Sequence, residues 1–214
     1  MDEKRRKFIK ASLFFSLGIP LTNHELWSQV VSINEKIKIS LQCYSFASLL
    51  RSKKMNILDF PRIVRQDFNI DAAEYWNYAL ASEIKNPDFI REINMKTDDY
   101  GIENTIMLVD LIDFETGESK SLCSQDKKER NESIEGHKKW IEIANSIGCK
   151  TIRLNLWSKN LNTTEVKKLS MESLNKLLDF CNKEDMSIVI ENHGGFTSDA
   201  KWLVDLIKNI NNPR

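Results

Sequence analysis

Short strand-like runs alternate with longer helical patterns from about residue 36 to the end of the chain, and this alternation constrains the fold more than any other feature. The runs are 36–46, 70–76, 104–110, 150–157 and 187–193, each enriched in aliphatic and β-branched residues. Between them lie amphipathic patterns. Met55 to Phe68 carries Ile57, Leu58, Phe60, Ile63 and Val64, with Pro61 tolerable only in a first turn. Asn86-Pro87 opens a second helix containing Phe89, Ile90 and Ile93. Ser133 to Ile147 contains Trp140, Ile141 and Ala144 and stops at Gly148. Thr163-Thr164-Glu165 opens a fourth, and Ser198-Asp199 caps a fifth with Trp202, Leu203, Leu206 and Ile207 on one face.

Strict alternation predicts an α/β fold with a parallel sheet. Strand centres at Leu41, Ala73, Met107, Leu154 and Ile190 are 32, 34, 47 and 36 residues apart. A (β/α)8 barrel of roughly 250 residues has about 31 per unit, so the spacing fits that barrel with one insertion. The insertion, 111–130, is polar and reads as a surface loop at the barrel mouth. A doubly wound open sheet is disfavoured, because Tyr44-Ser45-Phe46-Ala47 stands where a glycine-rich turn belongs. Only about five βα units are present, and five leave two bare strand edges. The expectation is an incomplete barrel over 36–214, the N-terminal part of a longer one, with a complete five-stranded protein as the alternative.

Residues 1–35 differ from the rest. Lys4 to Lys10 is basic, and Ala11 to Pro20 is a short apolar run, the pattern of an export signal followed by a linker; the alternative is a basic amphipathic start on a cytoplasmic protein. Arg5-Arg6 before Phe8-Ile9-Lys10 resembles a twin-arginine signal, which implies an exported, periplasmic destination. No stretch reaches the ~20 apolar residues of a membrane helix, so no stable membrane span is expected. The 31 basic and 31 acidic side chains cancel, which argues against a nucleic-acid partner. Cys43, Cys123, Cys149 and Cys181 show no zinc-ligand spacing; the pattern suggests buried thiols, and an exported protein leaves a disulfide open.

The C-terminal ends of the strands form the active face of such a barrel. Period-two alternation places Arg153 and Asn155 on the inward face of strand four, opposite Ile152, Leu154 and Leu156. On strand five it groups Val189, Glu191 and His193. Glu191 follows Ser-Ile-Val-Ile directly, and a carboxylate carried by a buried strand is costly unless it meets a cation or a partner. A metal and the Arg153 guanidinium are the two candidates. His193 is a substrate contact or a cap before Gly194-Gly195. Asn155 orients substrate or is a satisfied core amide. Glu74 is read from the residues alone as a structural pair. Trp76 and Trp157 form either an apolar wall or ordinary packing. His137, beside Lys138 and Lys139, reads as a surface residue, and His24 as part of the linker.

Leu41 to Phe46, Ala73-Glu74-Tyr75-Trp76, Ile152-Arg153-Leu154-Asn155 and, above all, Ile190-Glu191-Asn192-His193-Gly194-Gly195 resemble the sugar phosphate isomerase/epimerase family of xylose isomerase-like TIM barrels. The resemblance runs from about Ile37 to Arg214. It implies a divalent ion (Mn, Mg, Co or Zn) held by a Glu on strand five, an Asp on strand six, a His on strand seven and a Glu on strand eight. Glu191 matches the first, both as ligand and as acid/base group; the other ligands lie outside these five units. The resemblance further implies His193, Asn155 and Glu74 as substrate contacts and a small carbohydrate as partner. The implied reaction is isomerisation or epimerisation by proton transfer next to a carbonyl, with these five units inactive alone. An exported enzyme meets free sugars more readily than phosphorylated ones. The alternative is an exported carbohydrate-binding barrel without catalysis. An endonuclease-like zinc phosphodiesterase ranks behind both, because the first four strand ends offer no histidine.

Overall fold

All five strands are parallel and run in sequence order across one sheet: β1 (Leu41–Gln42), β2 (Ala72–Trp76), β3 (Glu103–Val109), β4 (Thr151–Asn155) and β5 (Ser187–Glu191). The computed structural model describes residues 38–113, 116–159 and 162–214; the signal, linker and His24 expectations lie outside them. The helices are α1 (Ala47–Arg51), α2 (Phe60–Arg62), α3 (Asn77–Leu80), α4 (Pro87–Asp99), α5 (Lys127–Ser146), α6 (Thr163–Glu184) and α7 (Ala200–Ile210). Sequential strand order is that of a barrel wall and lacks the reversal of a doubly wound sheet. Among the described residues the sheet is open, with β1 and β5 at its edges. Beside β5 the Ile188 N–H donates to the Arg214 carbonyl at 2.7 Å.

Alternation along each strand separates two faces. Ile152 and Leu154 are fully buried, as are Met107 of β3 and Ile141, Ala144 and Leu177 of the helices, in one apolar core. A fully buried aliphatic side chain contributes about 1.5–3 kcal/mol, so this layer fixes which face of each strand turns outward. The opposite face is polar and partly open. There the register sets Arg153 beside Val189 and Asn155 beside Glu191.

Helix starts are set by polar caps. Asn86, Asp126, Asn162 and Asp199 each accept a hydrogen bond from a first-turn N–H. The Asp126 cap starts α5 at Lys127, earlier than the expected Ser133, because Lys127 to Arg130 contains no apolar residue for periodicity to register. Strand one is shorter than expected. After Gln42 the chain turns into a 3-10 segment, Cys43–Phe46, and the Trp76 N–H is taken by the Cys43 thiol at 3.1 Å. The Met55–Phe68 pattern is broken into a 3-10 turn (Ile57–Asp59), α2 and a π turn (Ile63–Asp67), with Pro61 in the first turn of α2.

The stretch after β3 is more ordered than a plain surface loop. Ile112 and Ser119 pair antiparallel, and the Lys120 N–H donates to the Leu111 carbonyl at 3.0 Å. Leu111 packs onto α5 at Gly136, where an added Cβ would stand 2.7 Å from Leu111 Cδ1. His137 is not the surface residue its lysine neighbours suggest. It is 3% exposed, because helical periodicity groups it with Ser133, Ile134, Trp140 and Ile141 on the buried face of α5. All four cysteines are free and buried, and burial pushes the Cys43 thiol up to about 12. Among the described residues no helix is long and apolar enough to cross a membrane.

Candidate functional site

The C-terminal ends of β3, β4 and β5 open into a cavity of about 360 Å³ whose lining includes Asp110, Arg153, Asn155, Trp157, Glu191 and His193. Asp110 follows the last residue of β3 and is held on every side. Its Oδ1 accepts from Arg153 Nη1 at 2.7 Å and from Asn155 Nδ2 at 3.0 Å, and its Oδ2 accepts from Trp76 Nε1 at 2.9 Å. Its backbone is clamped as well: the Asp110 N–H donates to Asn77 Oδ1 and Asn77 Nδ2 donates to the Asp110 carbonyl, both at 3.0 Å. Charge-assisted hydrogen bonds of this kind are the strong ones in proteins, and here a single carboxylate collects two from side chains of β4.

Arg153 reaches both ways. Its guanidinium bonds Asp110, and its Nε lies 3.1 Å from Glu191 Oε2. That second contact is one of charge, because the Nε–H makes no hydrogen bond of acceptable angle. Glu191, the last residue of β5, keeps its other oxygen 3.4 Å from His193 Nδ1. The Glu191 side chain is 42% exposed, against 18% for Asp110 and 11% for Arg153. Asn155 Oδ1 is buried and makes no hydrogen bond.

Three of the four expected site residues therefore meet in this cavity: Glu191, His193 and Asn155. Glu74 does not line it. Its carboxylate accepts from Ser40 Oγ and from Gln42 Nε2 (3.0 Å), pairing β2 to the β1 segment; of these three residues Gln42 reaches the cavity. His193 owes its place to a tight turn in which its N–H donates to Thr197 Oγ1 at 3.0 Å; Gly194 and Gly195 sit at φ 87° and 55°, where a side chain would strain the backbone. Trp76 is fully buried, in edge contact with Tyr44 and stacked on Tyr78, so it is packing and not a free wall; Trp157 does line the cavity. His137 lines the inner end, where burial lowers its pKa to about 4 and its Nδ1 lies 2.8 Å from the Ser133 carbonyl.

Asp110 is the residue that sequence reasoning missed. The signal was present: Ile-Met-Leu-Val-Asp110 has the same form as Ile-Val-Ile-Glu191, an aliphatic run delivering a carboxylate to a strand end. Chemically, the cavity offers one guanidinium to two carboxylates, leaving net negative charge near Glu191. A half-exposed carboxylate beside an imidazole and an amide is suited to taking a proton and to binding hydroxyl groups. As a metal site the described residues fall short. None of them form a group of three or more His, Cys, Asp or Glu able to hold an ion, and Asp110 is committed to its three donors.

Compared with curated proteins, the chain matches none. Solved structures share its fold. A xylose isomerase domain protein from Planctomyces limnophilus aligns with TM-score 0.54 and 17% identity, covering 69% of this chain and 52% of that one. The IolI protein with a bound zinc atom aligns with TM-score 0.64 and 16% identity, covering 82% and 60%. A D-psicose 3-epimerase determined in the presence of D-fructose aligns with TM-score 0.61 and 16% identity, covering 83% and 61%. The chain thus spans between 52% and 61% of the length of these three structures. The sequence profile of the xylose isomerase-like TIM barrel matches residues 66–214, more than half of the chain, and the protein belongs to that family.

Proposed function

We propose that these five units are the N-terminal part of an exported, metal-dependent isomerase or epimerase that moves a proton on the carbon next to the carbonyl of a sugar or sugar derivative. Residues 1–35 serve as signal and linker and 36–214 as the first part of the barrel, and the five units alone are inactive. The family membership supports a small carbohydrate as substrate, and solved structures of this fold include a D-psicose 3-epimerase and a D-tagatose 3-epimerase-like protein. The observation that carries the reading is the position of Glu191. It ends β5 in the cavity, half exposed, with one oxygen beside Arg153 and the other turned to His193. Glu191 takes and returns the substrate proton, while His193 and Asn155 contact substrate hydroxyls. Glu191 would be the one ligand these units give to a divalent ion, which, held with ligands from further units, would polarise the carbonyl; a fold relative that carries zinc supports this reading.

The test is metal analysis of the protein carrying all eight units. One divalent ion per chain, lost in Glu191→Gln, is the expected result. Full-length protein that neither contains nor takes up a divalent ion refutes the isomerase. Saturable sugar binding in the absence of any ion then supports the non-catalytic carbohydrate-binding protein, a reading favoured by the Arg153 contact that already occupies one Glu191 oxygen.

A further inference from the structure

Between the part-buried carboxylate of Asp110 and the more exposed one of Glu191 stands a single guanidinium, and what fixes that guanidinium lies on the Asp110 side. Arg153 makes its one well-aimed bond to a carboxylate at Asp110 (2.7 Å) and touches Glu191 by charge alone. Asp110 is immobilised by Trp76, Asn155 and Asn77, residues of β2, β4 and α3. A long arginine on an open sheet face otherwise samples many rotamers, and holding it costs side-chain entropy. The order of support therefore runs from Asn77 and Trp76 to Asp110, from Asp110 to Arg153, and from Arg153 to Glu191.

We infer that Asp110 is a positioning residue: acting through Arg153, it determines where the Glu191 carboxylate stands in the cavity. Its own oxygens carry Arg153, Asn155 and Trp76, so it neither receives a substrate proton nor binds an ion. Without Asp110, Arg153 is free to swing to Glu191 alone, and the pair moves together into the open part of the cavity. The functional meaning of this clamp rests on the role proposed for Glu191, whereas its existence does not.

Side-chain NMR of the 214-residue chain at fixed neutral pH reads the clamp without metal or sugar. In the wild type the Arg153 Nη protons give separate signals, because rotation of the guanidinium is slowed, and the two Glu191 Hγ protons are inequivalent, because the side chain keeps one conformation. Asp110→Asn is expected to speed Arg153 rotation about tenfold or more, as losing a hydrogen bond to a charged group does, and to merge the Glu191 Hγ pair while backbone signals away from the cavity stay in place. Arg153→Lys, whose single ammonium cannot span both carboxylates, is expected to merge the Glu191 pair too and decides the matter if Asp110→Asn does not fold. Glu191 protons that remain inequivalent in Arg153→Lys, or unchanged Arg153 rotation in folded Asp110→Asn, overturn the inference. Metal analysis of the full-length protein has no bearing on either signal, so the clamp and the isomerase reading can fail separately.

Discussion

Asp110 and Glu191 end their strands in the same way, yet they have become different chemical groups. Asp110 follows β3, which has a hydrogen-bonded neighbour on each side, and it meets donors from both: Trp76 of β2, and Arg153 and Asn155 of β4. Glu191 ends β5, an edge strand among the described residues, and its side-chain contacts are the Arg153 guanidinium and the His193 ring. A carboxylate flanked by strands on both sides is saturated and becomes scaffold. One at an open edge keeps an oxygen for chemistry. The comparison teaches that an acid at a strand end is not by itself a site; what its neighbours leave unsatisfied makes it one.

The difference can be broken from the scaffold side first. Replacing Arg153 by Met leaves Asp110 without its guanidinium, and removing one partner of a buried pair costs roughly 3–5 kcal/mol. Because both side chains retain some exposure, a loss near about 3 kcal/mol is expected in urea unfolding, enough to lower the midpoint clearly. His137 gives an effect of similar size through pH. Its folded pKa, about 4, lies below the ordinary value of 6.5, so the unfolded chain binds the proton more readily. The neutral ring's contribution is complete above 6.5 and is lost as pH falls from there toward 4, roughly 3 kcal/mol in all. Unfolding measured from pH 7.5 to 4 should show this slope, and His137→Gln should flatten it.

On the edge side, effects on stability shrink. Glu191→Gln removes a half-exposed charge contact, and exposed pairs contribute about 0–1 kcal/mol, so unfolding should shift by less than about 1 kcal/mol. A loss as large as that of Arg153→Met would mean that Glu191 is scaffold too. The smallest effect is expected at Gly136→Ala. Helix propensity gains about 1 kcal/mol, while the added methyl pushes on the Leu111 side chain, an overpacking that costs about 1–3 kcal/mol. Because the atom met is the far end of the flexible Leu111 side chain, the cost falls at the low end of that range; the net loss should stay below about 1 kcal/mol and show mainly as faster hydrogen exchange at the Lys120 N–H, which bonds the Leu111 carbonyl.

The parallel order of the five strands was legible in the sequence, because aliphatic runs of strand length alternating with capped amphipathic helices admit few other solutions. The inward direction of Arg153, Asn155 and Glu191 followed from period-two alternation against Ile152, Leu154 and Ile190. Three things went unread, one of them beyond reach of local sequence and two with a signal that competing features outweighed. Strand one ends at Gln42 through a thiol taking the Trp76 N–H, a contact 33 residues away in sequence. His137 turns inward because helical phase outweighs the polarity of its neighbours. Asp110 joins the site because a pairing register, set by the whole sheet, brings its strand end beside Arg153 and Asn155. Local sequence carries burial pattern and caps; it does not carry which strand end stands beside which.

The most direct measurement is solvent-deuterium exchange at the carbon next to the carbonyl of a ketose, followed by NMR in D2O with Mn²⁺, using the protein that carries all eight units. Glu191 as proton carrier and metal ligand predicts exchange in the wild type and a loss of at least about 10²–10⁴-fold in Glu191→Gln, which removes a general acid/base group and its hold on the ion together. Exchange at the wild-type rate in Glu191→Gln contradicts the account, and so does a folded, metal-loaded wild type that exchanges no proton of any ketose offered.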